Sequence, residues 1–277
     1  MRNCFIGSIL VVVGALAFSP LIRAQTAQRS GAGKASTPDL SGGWDVPPAE
    51  LNLRGPGASG PRQDFFQAFV RGEPSMTPWA EERYKALRKG ITDPNAVPPD
   101  ELDPETYCFP RGPTRIFSSS HPFEIRQHPD VVFLLFERDH WVRRIYVDGR
   151  GHPDGYPITW MGHSIGKWDG DTLVVDTIGI NDKSWIDSQG HPHSDALHLV
   201  ERFRRRNHDT LEYEVTFDDP KAYAKPWGGK KDFQLMGPGK EIMEHVLCED
   251  LLEMGKRGFL PYTPRGSSGI WSTLPPP

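Results

Sequence analysis

Residues 159–178 read TWMGHSIGKWDGDTLVVDTI, and residues 197–217 read LHLVERFRRRNHDTLEYEVTF. Each pairs two runs rich in Thr, Val, Ile, Leu and aromatic residues across a short polar turn, Asp169-Gly170-Asp171 in one and Asn207-His208-Asp209 in the other. Asp-Gly and Asn-containing turns tolerate the backbone of tight hairpins, so both stretches predict antiparallel β-hairpins. Similar runs extend outward over 114–118, 123–127, 131–137, 141–147, 232–236 and 242–249, with a first strand from 41–46. About ten short strands at close spacing predict a mainly β fold, either an antiparallel barrel or a sandwich, with the antiparallel up-and-down barrel as the leading expectation. Residues 131–136 are apolar on both faces, which predicts a covering element above them, such as the helix that starts at Thr77. That helix has Thr77 to cap it, Pro78 at its first position and Glu81 and Glu82 in its first turn, and should end near Gly90.

The flanks bound the compartment. Arg2, the apolar run 5–18 and Ala24 form the pattern of an export signal over 1–24, too short for a membrane span of ~20 residues. Residues 25–40 read as a flexible leader, 41–113 as an irregular extension with one helix, 114–254 as the barrel body and 255–277 as a Pro-rich tail. Loss of 1–24 takes out Arg2 and Arg23, leaving 30 basic against 36 acidic residues and no membrane span. That charge excludes a nucleic-acid binder. A periplasmic or secreted protein follows, and there Cys108 and Cys248 are expected to form a disulfide.

Leu40-Ser41-Gly42-Gly43-Trp44, followed by a series of hairpins, resembles the lipocalin-like (calycin) barrels, in which a Gly-x-Trp sits on the first strand. That resemblance implies a ligand cavity at the barrel mouth. Residues 123–219 also resemble an exported bacterial family of unassigned function, which carries no activity across.

Eight of the ten histidines lie between 121 and 201, and this stretch supplies the candidate chemistry. His191, His193 and His198 have the most metal-like spacing, pointing to a divalent ion; the alternative is a turn bonded to a carboxylate such as Asp195. His163 shares a strand face with Met161 and Ile165, which predicts an inward position, either as a satisfied core histidine or as a base oriented by Asp176 or Asp182. Alternation over 141–148 turns Arg143 or Arg144 inward, needing a carboxylate partner such as Glu124, Glu137 or Glu201, or an anionic ligand. Tyr146, Trp160 and Trp185 are candidate pocket residues, with loops 148–163 and 179–196 at the mouth. His121, His128, His140 and His152 stand at turns and read as surface residues.

Phosphate-loop and Cys-x-x-Cys motifs are absent and no dinucleotide fingerprint follows a strand; Gly162-His163-Ser164-Ile165-Gly166 has the letters of Gly-x-Ser-x-Gly but lies within an expected strand, not at a strand-to-helix elbow. The toolkit suggests an enzyme of lyase, isomerase or hydrolase type, its partner a small, partly apolar or aromatic substrate. The alternative is a non-catalytic lipocalin-like carrier of an apolar ligand or haem.

Overall fold

Nine strands close into one barrel in sequence order: β1 (Gly42–Asp45), β2 (Phe123–Gln127), β3 (Val131–Phe136), β4 (Val142–Tyr146), β5 (His163–Asp169), β6 (Thr172–Ile178), β7 (His198–Asn207), β8 (Thr210–Asp218) and β9 (Trp227–Leu235). The structure, a computed structural model, describes residues 37–47, 69, 73–93, 103–119, 121–244 and 248. The expected export signal, most of the leader and the Pro-rich tail lie outside the described residues. Among the described residues, no helix is long and apolar enough to cross a membrane.

The barrel is mixed, which corrects the purely antiparallel expectation. Eight neighbouring pairs are antiparallel, and β4–β5 is parallel, with Ile145 opposite Ser164 and Tyr146 opposite Ile165. The cause is parity. Around a closed ring, strand direction must return to its starting sense, so the number of antiparallel neighbours must be even. Nine strands therefore need at least one parallel pair, and a parallel pair needs a crossover rather than a hairpin. Residues 147–162 supply it.

Side chains fill the interior. Val132, Leu134, Ile145, Leu173, Val175, Leu199, Phe203, Leu211, Val215 and Phe233 point inward with period two and are buried. Residues 114–118, expected as a strand, instead form two short helical turns, α2 (Gly112–Arg115) and a 3₁₀ turn (Ile116–Ser118). Pro113 withholds a donor that a strand ladder would need and suits a helical first turn. This segment carries Phe117 against Phe123, Phe136, Phe203, Tyr213 and Phe233, with centroids 4.6–6.0 Å away.

Beside the rings lies a buried polar network. Arg143 donates to Glu201 Oε1 at 2.8 Å and to its Oε2, and also to Ser164 Oγ at 3.1 and 3.2 Å and Thr177 Oγ1 at 2.9 Å. Tyr213 OH donates to Glu201 Oε1 at 3.0 Å. The inward arginine is thus Arg143, and its partner is the Glu201 carboxylate.

The Thr77-capped helix, α1 (Pro78–Thr92), runs through Gly90 to an Asp93 cap. It does not cover β3 as expected. Thr77 N donates to Ala222 O at 2.9 Å, and Arg88 reaches Gln189 at 3.0 Å, so α1 docks on the loop after β6 and the turn after β8. The expected strand over 242–249 is not formed at 242–244. The predicted strand at 232–236 is the end of the longer β9. Gly229 lets a neighbouring segment close on β9, since a Cβ there would sit 2.0 Å from Phe69 O. Cys108 and Cys248 are disulfide-bonded, as expected.

Candidate functional site

The crossover that makes β4 and β5 parallel folds back over the outside of the barrel wall. Ser164 faces the interior, so alternation puts His163 on the outer face of β5, and the same rule puts Asp176 on the outside of β6 and His198 on the outside of β7. His163 is nevertheless only 6 % exposed, because the crossover covers it. This overturns the inward placement: burial at His163 comes from a lid, not from the barrel interior.

Two backbone bonds staple the crossover to the loop after β6: Thr159 N to Gly179 O and Asn181 N to Thr159 O, each 2.9 Å. Gly162 then turns the chain sharply into β5. Its φ is +67°, and a Cβ there would lie 2.6 Å from Ile178 O, so only glycine fits. The lid delivers His152 between Asp176 and His163.

A hydrogen-bonded chain results. His198 Nε2 lies 3.0 Å from Asp176 Oδ2, His152 Nε2 lies 2.9 Å from Asp176 Oδ1, and His152 Nδ1 lies 2.8 Å from His163 Nδ1. The bonds dictate the tautomers. An ionised carboxylate only accepts, so both Nε2 atoms facing Asp176 carry protons. Neutral His152 then has a bare Nδ1 that accepts from His163 Nδ1–H, which leaves His163 with a lone pair on Nε2. A proton taken up there lets the Nδ1 proton pass to His152, whose charge would sit beside Asp176.

The surroundings fit that arrangement. Burial, then the electrostatic influence of the neighbouring His152 and Arg150, hold the His163 imidazole below the ordinary histidine range. Burial pushes the Asp176 carboxyl up, but bonds from His152 and His198 outweigh it and keep the group more acidic than usual. Tyr146 stacks on His163 at 5.5 Å, and Tyr156 packs on it at 4.7 Å. The Arg150 guanidinium lies 4.0 Å over the Tyr146 ring and is bonded to Asp148. Asp176 and His198 remain substantially open to solvent.

Of the residues singled out from sequence, His163, Asp176, His198 and Tyr146 thus converge. The others do not. Asp182 is exposed in the loop after β6, so Asp176 alone, through His152, orients His163. Arg144 is exposed on the outer face of β4. Trp160 packs on Phe109 at 5.3 Å, and Trp185 is buried under the Arg115 guanidinium at 4.7 Å. The trio proposed for a metal is split three ways: His191 is held by Asp187 at 2.8 Å, His193 by Ser184 and the Ser194 carbonyl at 3.0 Å each, and His198 by Asp176. Among the described residues, no group of three or more His, Cys, Asp or Glu is arranged to hold a metal ion. Asp195 pairs with Lys221 rather than with these histidines. Sequence reading missed His152, set aside as a turn residue, and Tyr156. The signal lay in residues 147–162, a connection too long for a hairpin and punctuated by Gly, His and Pro.

No family model matches the chain, and no curated protein matches it at a significant level.

Proposed function

We propose that the protein is an exported enzyme performing acid–base chemistry of lyase, isomerase or hydrolase type on a small, partly apolar or aromatic molecule. His163 Nε2 is the proton acceptor and donor, His152 passes the proton, and Asp176 stabilises the charge that results. The observation that carries the reading is the unbroken chain from His198 through Asp176 and His152 to His163. The flanking tyrosines supply flat apolar walls for an aromatic substrate, and the disulfide and the export-type N-terminus support an oxidising destination. A carrier with its ligand inside the barrel has less support, because Phe117, its ring of aromatic neighbours and the Arg143–Glu201 network occupy that space.

Incubation in D2O with a panel of small aromatic hydroxy acids, keto acids and esters tests the reading, with deuterium uptake or conversion followed by mass spectrometry. A compound turned over by the wild type should lose roughly 10²–10⁴ in rate with His163→Gln, and Asp176→Asn should also be slowed. Turnover that survives both substitutions refutes the assignment.

A further inference from the structure

A second constellation, sharing no residue with the His163 chain, lies where α1, the loop after β6 and the start of β9 meet. Asp187 is buried there. Its Oδ1 accepts the Gln189 amide at 2.9 Å, and its Oδ2 accepts His191 Nδ1–H at 2.8 Å. The imidazole is thereby locked with Nε2 turned away from Asp187. That nitrogen is buried and makes no hydrogen bond; Glu73 Oε2 is 3.4 Å away but off line, while its other oxygen accepts the Tyr84 hydroxyl at 2.9 Å. The neighbouring ring is Trp227, 5.3 Å from His191 between centroids, and its indole Nε1 is also buried without a hydrogen bond. Tyr84 stacks on the imidazole at 4.9 Å and 8°, adding a flat aromatic ring to the group.

Indole N–H can only donate. Each buried polar nitrogen left without a partner costs about 1–3 kcal/mol, so two on adjacent rings mark a place where a partner belongs. We infer that His191 and Trp227 frame a ligand site for the carboxylate of a small, flat monocarboxylic acid, with Glu73 as the competing internal carboxylate. Glu73 shows which chemistry the site attracts. It reaches the imidazole from a largely exposed position without completing the bond, and an incoming carboxylate would complete it to both rings. Burial disfavours the charged imidazole, but Asp187 and Glu73 outweigh it and raise His191 above its ordinary range, which favours the imidazolium form whose Nε2 proton such a ligand needs.

Benzoate titrated into the full-length protein tests this, followed by calorimetry and by the histidine ¹⁵N resonances. Saturable binding with a shift of the His191 signal is expected, with Kd of the order of 1 mM. Trp227→Phe keeps the ring and removes the donor, and should weaken binding roughly fivefold. Glu73→Gln removes the competitor and should tighten it. Benzyl alcohol, which lacks the carboxylate, should not bind. Benzyl alcohol binding as well as benzoate overturns the carboxylate assignment. Unchanged affinity in Trp227→Phe overturns the site, and so does the absence of any saturable binding, which would leave an ordered water as its only occupant. None of these outcomes depends on turnover at His163.

Discussion

Acidification should unlatch the crossover over His163. The contact that holds it, His152 Nδ1 to His163 Nδ1 at 2.8 Å, has room for one proton, so it fails when both rings are charged. Two imidazolium rings with centroids 5.0 Å apart repel by about 3 kcal/mol at an effective dielectric of ~20. Arg150 adds to that repulsion, whereas Asp148, Asp176 and the neutral phenols of Tyr146 and Tyr156 do not. Asp176, itself made more acidic, stays ionised through the histidine range and keeps its hold on His198. The linkage has a definite sign. His163 is depressed in the folded state, so it costs nothing well above the unfolded value near 6.5, and stability is lost as pH falls below that value toward the lower folded one. His191 is shifted the other way, so its stabilisation is present below about 6.5 and is lost as pH rises through its folded value. Global melting would blend the two, and a local readout is required. Amide protection factors for residues 147–158, measured at about pH 7.5 and about pH 5, should fall by at most about 100-fold in the wild type. The stapled Thr159 and Asn181 amides should change little. His163→Asn removes the second charge while leaving His152 on Asp176, and should abolish most of the response. Protection that is equal at both pH values, or an equal response in His163→Asn, would refute the reasoning.

Other consequences are direct. Glu201→Gln strands the buried Arg143 guanidinium and should cost about 3–5 kcal/mol in urea unfolding, whereas replacing both partners with apolar residues should cost far less. Phe117→Ala opens the centre of the aromatic cluster and should cost about 3–5 kcal/mol by the same measurement. Reduction of Cys108–Cys248, which closes a loop of sequence separation 140, should lower stability by about 2–5 kcal/mol, read as a drop in melting temperature with reductant. Gly162→Ala forces a Cβ against Ile178 O and should cost about 1–3 kcal/mol, and it should shift the His163 ring resonances because the turn feeds straight into β5.

The β-rich body was legible because its strands alternate cleanly: 123–127 and 172–178 were bounded to the residue, and the Asp-Gly hairpin between β5 and β6 is where its turn chemistry places it. Residues 114–118 misled because Thr, Ile and Phe favour strands in isolation, while the fold uses them as a plug whose shape is set by five aromatic neighbours far apart in sequence. At the site, Asp176 and His163 were visible as a carboxylate and an imidazole on adjacent strands. Their link was not, since His152 arrives from a loop whose path depends on tertiary contacts. The direction of His163 was misjudged for a related reason: alternation tells which residues share a face, but not which face is covered. The same limit hid the split of His191, His193 and His198, which are close in sequence but recruited by three different partners.

Barrel parity and the candidate site are one construction. A nine-membered ring cannot be closed by hairpins alone, so one connection has to pass over the wall to begin its next strand in the same direction. That connection necessarily covers outward-facing residues of the strands beneath it. In this chain it buries His163, and it brings the His152 ring to lie between His163 and the more open Asp176 carboxylate. An even-stranded barrel with the same strands would leave His163 on an open face, where water would compete for its ring nitrogens. Nearby carboxylates and imidazoles on a solvated face make weak, exchanging contacts, whereas partial burial strengthens each bond in the chain and separates the proton affinities of its members. Enclosure of the barrel interior, which in a lipocalin-like reading would be the place for a ligand, is here spent on packing. The protected polar space lies outside the wall, under the one connection that closure of the ring requires.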